Sequence, residues 1–423
     1  MSLYLRNGRV VDPSQKIDQI MNLRVGGGQI AGYDETPGDG DRILDVSGKI
    51  VVPGLIDLHV HLREPGLEED ETIETGAQAA IRGGFTSICC CPNTIPPLDS
   101  QASVEFVRQK AVRAAQANVF VICCISKNRE GKELAELGQL FEAGAIACSD
   151  DGSPVEDAEL MRRALEYALM FDKPVFSHAE VKSLTQGGVI HEGTMSLLLG
   201  LRGMPSAAED VMVSRDITLA EATGGRLHLM HVSTLGAVQA IRRAKKRGVK
   251  ITAEVTPHHL TLTDQSLRSF DSNFKMNPPL RSEEDVNACL DALLDGTIDA
   301  IATDHAPHAL EKKMRELDQA PFGIVGLETA LSLMITKFLK PGKLDWPLLI
   351  EKMSANPAKI LQLSNKGTLR IGADADITVI DPAAKWTVSE KTLHGKSKNS
   401  PYLGWTLDGQ AATVIVGGCV KRE

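Results

Sequence analysis

The chain has 423 residues, with 46 Lys and Arg against 55 Asp and Glu, a net charge of −9. That acidic balance excludes electrostatic nucleic-acid binding as the default, because such domains carry a basic excess. A composition of 43% hydrophobic and 24% charged residues excludes a disordered or collagen-like chain and allows one large core.

In chain order, residues 1–52 offer short extended pieces separated by turn signals (Asn7-Gly8, Gly26-Gly27-Gly28, Pro37-Gly38). Leu3, Tyr4, Leu5 and Arg6 alternate apolar and charged residues, unlike a signal peptide. No apolar run approaches the roughly 18 to 20 residues that span a bilayer, so a cytoplasmic protein with no membrane partner is expected. From Val119 onward one grammar repeats, a short β-branched run, a turn, then a segment of helical period, and it extends backward to residue 54. The strands are predicted over 54–60, 85–91, 118–125, 145–148, 174–177, 226–230, 250–255 and 298–302. Among the helices, Ser206 with Glu209 reads as a capping box before 211–222, and Ser282 with Asp285 has the same form before 286–294. Eight strand–helix units predict a closed (β/α)8 barrel over 53–366. Residues 367–423 read like the N-terminal piece. The two ends are expected to pair into one small β-sandwich domain, 1–52 with 367–423, because termini often lie close together. The 8 cysteines sit mainly in apolar runs (Cys89-Cys90-Cys91, Cys123-Cys124) and read as buried free thiols. The basic run 242–247 ends a helix, where cations complement the dipole, and reads as a solvated face.

Active sites of such barrels form where strands end. Here the ends carry His59-Val60-His61, Asn93, Asp150-Asp151, His178, His231, His258-His259 and Asp304-His305. His59 and His61 are two apart on a strand, so both imidazoles project from one face toward one metal. His59, His61 and Asp304 can serve a first ion, and His178 with His231 a second. A bridging carboxylate from the fourth strand would suit ions roughly 3.5 to 4 Å apart. Asp151 is preferred to Asp150, which can face the barrel wall instead. Imidazole with carboxylate is the donor set of catalytic zinc, so one or two Zn2+ ions are expected. His191, His228, His258, His259 and His394 are not read as ligands.

His59-Val60-His61-Leu62-Arg63-Glu64-Pro65-Gly66, preceded by Pro53-Gly54-Leu55-Ile56-Asp57, resembles the signature of dihydroorotases in the amidohydrolase superfamily. Cys91-Pro92-Asn93-Thr94, Asn277-Pro278-Pro279-Leu280-Arg281 and Thr303-Asp304-His305-Ala306-Pro307-His308 resemble the same family, in the same order and through the whole chain. The likeness is strongest to the bacterial class I enzymes and implies a metal-dependent barrel with a small β domain from both termini. Many relatives bridge their metals with a carboxylated lysine. The fourth strand here has no lysine at its end, and Asp151 matches the bridging aspartate of class I.

The resemblance implies reversible ring closure of N-carbamoyl-L-aspartate to (S)-dihydroorotate in pyrimidine (UMP) synthesis, by a metal-bound hydroxide with Asp304 as general acid/base. Arg63 follows the His pair by two residues, so its planar fork should meet the substrate carboxylate at the barrel mouth; a surface ion pair with Glu64 or Glu68 is its bland alternative. The family implies Asn93 and His308 as further carboxylate partners, with Asn277 and the backbone of Phe322-Gly323 at the ring. Residues 309–320, charged and without an apolar stripe, are expected to form a mobile flap. The rival readings are another cyclic amidohydrolase (allantoinase or dihydropyrimidinase) and a non-catalytic scaffold for aspartate transcarbamoylase. Arg63, Asn93 and the fourth-strand aspartate weigh against the first, and the intact ligand set against the second. A homodimer and a complex with aspartate transcarbamoylase remain compatible with the resemblance.

Overall fold

The computed structural model describes residues 2–423. Five strands precede the barrel: β1 (Leu3–Asp12), β2 (Ile17–Gly26), β3 (Gln29–Tyr33), β4 (Arg42–Asp45) and β5 (Ile50–Pro53). The barrel strands β6 (Leu55–Val60), β7 (Phe85–Cys90), β8 (Asn118–Cys123), β9 (Ala145–Ser149) and β10 (Val175–Ser177) follow. A short outlying pair, β11 (Ile190–His191) and β12 (Gly203–Met204), separates them from β13 (Leu227–Leu229), β14 (Ile251–Val255) and β15 (Ala300–Ile301). The chain ends in β16 (Ile377–Thr387), β17 (Thr406–Val416) and β18 (Cys419–Arg422).

The eight predicted strands form one parallel sheet in sequence order from β6 to β15. The ring closes where Val60 bridges His305, with the His61 N–H donating to the His305 carbonyl at 2.8 Å. Ile56, Leu58, Cys89, Ile122, Ala147, Phe176, Ala300 and Ala302 fill the interior, so the barrel is a packed core rather than a pore. Helices such as Ile73–Gly83 and Leu235–Lys246 bury one face outside it. In the latter the basic run pairs outward, Arg242 with Asp295 and Lys245 with Asp299, as expected of a solvated face. No helix among the described residues is long and apolar enough to cross a membrane.

The other eight strands form a second, mostly antiparallel sheet from both ends of the chain. It branches at β1, whose first half pairs with β4 and whose second half pairs with β5. The branch lets the sheet enclose a core of its own, including Leu5, Leu23, Val25, Ile377 and Ile415. The segment between β16 and β17 leaves this sheet and packs on the barrel: Ser397 donates to the Asp70 carbonyl, and Val388, Leu393 and Tyr402 join Leu280 and Val325.

One capping expectation fails. The helix begins at Ala207, Ser206 already has helical angles, and its side chain caps nothing. Glu209 is drawn instead to the end of β13, where it accepts from the Ser233 N–H at 2.8 Å and lies 3.3 Å from Arg281. A buried cation outweighs a local cap. Ser282 does accept from the Asp285 N–H, but Asp285 turns its carboxylate to the Ser282 hydroxyl and the Leu235 N–H rather than completing a box.

Asp376, 4% exposed, ties the two sheets together. Its carboxylate accepts from Asn118 at the start of β8 (2.9 Å), from Lys366 (2.6 Å) and from the Gly417 N–H (2.8 Å). Asp376→Ala removes the buried acceptor shared by three partly exposed groups and should destabilise the chain by about 2 kcal/mol. A lower denaturant midpoint checks this; an unchanged midpoint would mean that the junction is held elsewhere.

Candidate active site

The sequence-predicted ligands converge at the C-terminal ends of the barrel strands, all of them buried. His59 and His61 flank the end of β6, and Asp151 follows β9. His178 follows β10, His231 follows β13 and Asp304 follows β15. The Oδ2 atom of Asp151 lies 3.4 Å from His59 Nε2 and 3.3 Å from His61 Nε2, and Asp304 Oδ1 lies 3.3 and 3.0 Å from the same two nitrogens. The other Asp151 oxygen, Oδ1, faces His178 Nδ1 at 3.1 Å and His231 Nε2 at 3.6 Å. One carboxylate therefore presents one oxygen to each imidazole set. Asp150 is engaged elsewhere, accepting from the Ile125 N–H (2.8 Å) and from the Ser126 N–H and hydroxyl.

The far nitrogens of these rings fix their tautomers. His59 Nδ1 donates to Glu254 (2.8 Å), His61 Nδ1 to the Asn93 side-chain oxygen (2.8 Å), and His178 Nε2 to Glu180 (2.8 Å). In neutral rings each near nitrogen is then an unprotonated lone pair aimed into the cluster. His59 Nε2 is fully buried and has no hydrogen-bond partner. His178 Nδ1 and His231 Nε2 stand only 2.8 Å apart, a contact that needs a proton on one of them or a cation between them.

The electrostatics agree. Burial opposes a charged His59, yet Asp304, Cys91 and Asp151 outweigh it and hold its pKa well above the ordinary value. For His178, burial is likewise outweighed by Asp151 and Glu180, which lift it to about 9. Burial alone would raise the Asp151 and Asp304 carboxyls, but neighbouring imidazoles, His59 above all, hold both well below the usual carboxylate range. Such a pocket stabilises positive charge, and a divalent cation competes for the same lone pairs. Donor pairs at 3.0–3.6 Å are close to the edge, about 3.3 Å, of a tetrahedron with bonds of about 2.0 to 2.1 Å. The residues present therefore fit a metal.

A cavity of about 600 Å³ opens over the cluster and is bordered by Arg63, Asn93, Asn277, His308 and Phe322. Arg63 is buried and donates to the Pro307 carbonyl (3.1 Å), with no carboxylate partner among the described residues. Neither carboxylate of its bland alternative reaches it: Glu64 pairs with Lys110 and Glu68 accepts from the Gly66 N–H. His308 Nε2 lies 2.8 Å from the Phe322 carbonyl, to which it donates, and 3.3 Å from Arg63. Asn277 donates to Glu180 (3.1 Å). Gly323 lies behind the lining: its N–H donates to the Lys275 carbonyl and its own carbonyl accepts from Lys313 and Asn399. Arg63 (φ 62°), His231 (φ 33°) and Asp304 (φ 47°) all hold the sparsely populated left-handed backbone, a strain that clusters at the mouth.

Sequence reasoning missed Glu254, Glu180 and Asn399. A lone carboxylate inside the apolar run Ile251–Val255 was the available signal for Glu254, which His228 also contacts (3.0 Å). Burial opposes its ionisation, but hydrogen bonds from His228 and His59 lower its pKa to about 2. Asn399 comes from the far end of the chain and holds the His308 N–H (3.0 Å). A larger open groove, about 1050 Å³, lies at the N-terminal ends of β8 and β9. There Arg108 and Lys421 are spent on the carbonyls of Ala143 and Ala115.

The segment 309–320 is pinned where its charge suggested mobility. Asp70 accepts from the Ala309 N–H and from Lys312, each at 2.8 Å, and Lys313 donates to the Pro321 carbonyl at 3.0 Å. Burial would raise the Asp70 carboxyl, but hydrogen bonds from His308, Lys312 and the Ala309 N–H hold it well below its usual range. A depressed pKa contributes stability in full above the unfolded value, about 4, and loses it as the pH falls from there toward the folded value. Trypsin should therefore cut at Lys312 and Arg315 slowly at neutral pH and faster in Asp70→Ala. Equal cutting in the two proteins would show that Asp70 does not anchor the segment.

Residues 48–236 match the Dihydro-orotase-like family model and residues 205–420 the Amidohydrolase family model. The chain is 51% identical over 426 residues to a dihydroorotase of Syntrophus aciditrophicus, covering 100% of both chains. It is 52% identical over 424 residues to a dihydroorotase of Pelotomaculum thermopropionicum, covering 100% of this chain and 99% of the relative. Among solved structures, the L-hydantoinase (dihydropyrimidinase) of Arthrobacter aurescens superposes with a TM-score of 0.90 at 25% identity, over 100% of this chain and 96% of the other. On sequence, barrel and donor cluster together, the chain belongs to the dihydroorotase family of amidohydrolases, metal-dependent hydrolases of cyclic amide bonds.

Proposed function

We propose that this chain catalyses the reversible ring closure of N-carbamoyl-L-aspartate to (S)-dihydroorotate, a step of pyrimidine biosynthesis, in the cytoplasm. The observation that carries the substrate is Arg63, a buried guanidinium without a carboxylate partner among the described residues, bordering the same cavity as the donor cluster. A planar fork in that place favours a substrate carboxylate. The free amide of Asn93 and the ring of His308 border the same end, and Asn277 and Phe322 line the wall for a flat ring. The superposition on a hydantoinase supports the barrel shared by both families, while identity near 51% supports the dihydroorotase branch over that rival.

His59, His61 and Asp304 would hold a first cation, His178 and His231 a second, and Asp151 both. Zinc suits imidazole with carboxylate, and all donors come from one chain, so the reading needs no partner. A cation bound there supplies Lewis acidity, polarising the amide carbonyl and acidifying water. Asp304, held ionised by its imidazole neighbours, takes the proton of the attacking water in hydrolysis and gives it to the departing ring nitrogen. In ring closure the same carboxyl must start protonated. Closure should thus accelerate as the pH falls and hydrolysis as it rises.

Loss of the ultraviolet absorbance of dihydroorotate, followed with metal-reconstituted protein, tests the reaction; no loss at any metal loading would refute it. Asp304→Asn keeps the shape and an oxygen donor but cannot carry the proton. Its kcat should fall by about 10²- to 10⁴-fold at equal metal content, with binding retained. Near-normal rates in both directions would remove Asp304 from proton transfer. Asp151→Ala should lose both ions and all turnover and Asp150→Ala neither, as metal analysis would show; the opposite pattern would reverse the assignment.

A further inference from the structure

Two lysines beside the substrate end of the cavity are buried, Lys275 (3% exposed) and Lys313 (5% exposed), and neither meets a carboxylate among the described residues. Burial, with Lys275 nearby, pulls the Lys313 pKa below its ordinary value against the attraction of Asp271. A charge there is costly, and an apolar side chain of similar length would be the cheaper filling. The ammonium is spent in a specific way. It donates to the Pro321 carbonyl at 3.0 Å and to the Gly323 carbonyl at 3.1 Å. Two carbonyls two residues apart are thereby gathered on one donor, which leaves the carbonyl between them, that of Phe322, to accept from His308 Nε2 at 2.8 Å. Lys275 holds the same turn independently: its carbonyl accepts from the Gly323 N–H at 2.9 Å, and its ammonium lies 4.6 Å from the centre of the Phe322 ring. The turn is pressed so tightly on the wall that a Cβ on Gly323 would lie 2.7 Å from the His308 ring and 2.5 Å from the Ala306 carbonyl.

We propose that Lys313 is a positioning residue for the substrate: by gathering the Pro321 and Gly323 carbonyls it aims the Phe322 carbonyl at His308, and so fixes the wall that Phe322 and His308 present beside Arg63. The inference rests on the substrate reading given above. Without the ammonium, Gly323 keeps the Asn399 amide at 3.0 Å, but the Pro321 carbonyl loses its donor. An unsatisfied carbonyl in that place draws the turn toward water, and the Phe322 carbonyl moves with it. His308 then loses the acceptor that sets its ring, 3.3 Å from the Arg63 guanidinium. The neighbouring Lys312 is turned to Asp70 instead, so adjacent lysines tie one segment to two different walls. Lys313 makes its hydrogen bonds to the substrate wall and none to the donor cluster. Its effect therefore falls on how tightly substrate is held, in the ground state and the transition state alike, rather than on the bond that breaks.

The test is steady-state hydrolysis of dihydroorotate by the full, metal-reconstituted chain, with metal content and denaturant midpoint measured on every protein. Lys313→Met should raise KM by about 10-fold, the worth of about one well-placed hydrogen bond, with kcat and metal content close to wild type. Lys313→Gln, which keeps an N–H donor on a shorter stem, guards against failure to fold and should raise KM in the same direction. In a His308→Ala background Lys313→Met should change KM by less than about 2-fold, because the ring it positions is gone. An unchanged KM in the folded variants, a fall in kcat at unchanged KM, or full additivity with His308→Ala would overturn the role of Lys313 and leave the substrate reading standing. No hydrolysis of dihydroorotate by wild type at any metal loading would overturn that reading and this inference with it.

Discussion

The Asp151 carboxylate is the constraint on which the barrel mouth depends. It is buried, ionised and placed so that its two oxygens face different imidazole pairs. A buried carboxylate of this kind is costly unless its surroundings compensate it. With Asp304, Glu180 and Glu254 also buried nearby, the mouth holds more negative charge than neutral histidines can offset. The far-nitrogen hydrogen bonds from His59 to Glu254, His61 to Asn93 and His178 to Glu180 turn the lone pairs of these three rings inward. Histidines that would otherwise take up protons are thereby organised to hold a cation.

The rest of the fold serves that organisation at increasing distance. Strand ends deliver the donors, and closure of the ring through Val60 and His305 brings the first and last strands together, so that His61 and Asp304 meet across 243 residues of chain. Left-handed backbone at His231 and Asp304 turns their side chains over the mouth instead of along the strands. Around the substrate end, the segment between β16 and β17 contributes Asn399, whose side chain binds the His308 N–H and the Ala306 and Gly323 carbonyls together. Chain from beyond the barrel thus fixes the wall of the cavity.

Much of this was legible in sequence because it is local. All eight barrel strands lie where alternation of β-branched runs and helical periods predicts them, although the eighth shrinks to Ala300–Ile301. Strand periodicity placed His59 and His61 on one face, and position at strand ends identified the remaining donors. What could not be read depends on long-range partners. Ser206 and Glu209 match a capping box by spacing, but Arg281, far along the chain, claims the carboxylate. Glu254 and Glu180 act through partners that only folding brings to them, His59 and His228 for the first and His178 and Asn277 for the second. Residues 309–320 look free by composition, yet Asp70, distant in sequence, holds their first turn.

These dependencies also separate the substrate end of the cavity from its chemical end. Arg63 meets the backbone at Pro307 and the ring of His308, neither of which neutralises it, so a buried positive charge persists beside a cluster that itself requires a cation. A guanidinium at one end and a cation-binding cluster at the other together favour a ligand that brings an anionic group to the first and a polarisable carbonyl to the second. A cyclic amide bearing a carboxylate has that shape. A cyclic amide without one would leave the Arg63 charge buried and unpaired, at a cost of several kcal/mol in binding. On the proposed function, selection within a barrel shared with hydantoinases would fall to Arg63 on its rim, and the donor cluster would set the class of bond that can be broken.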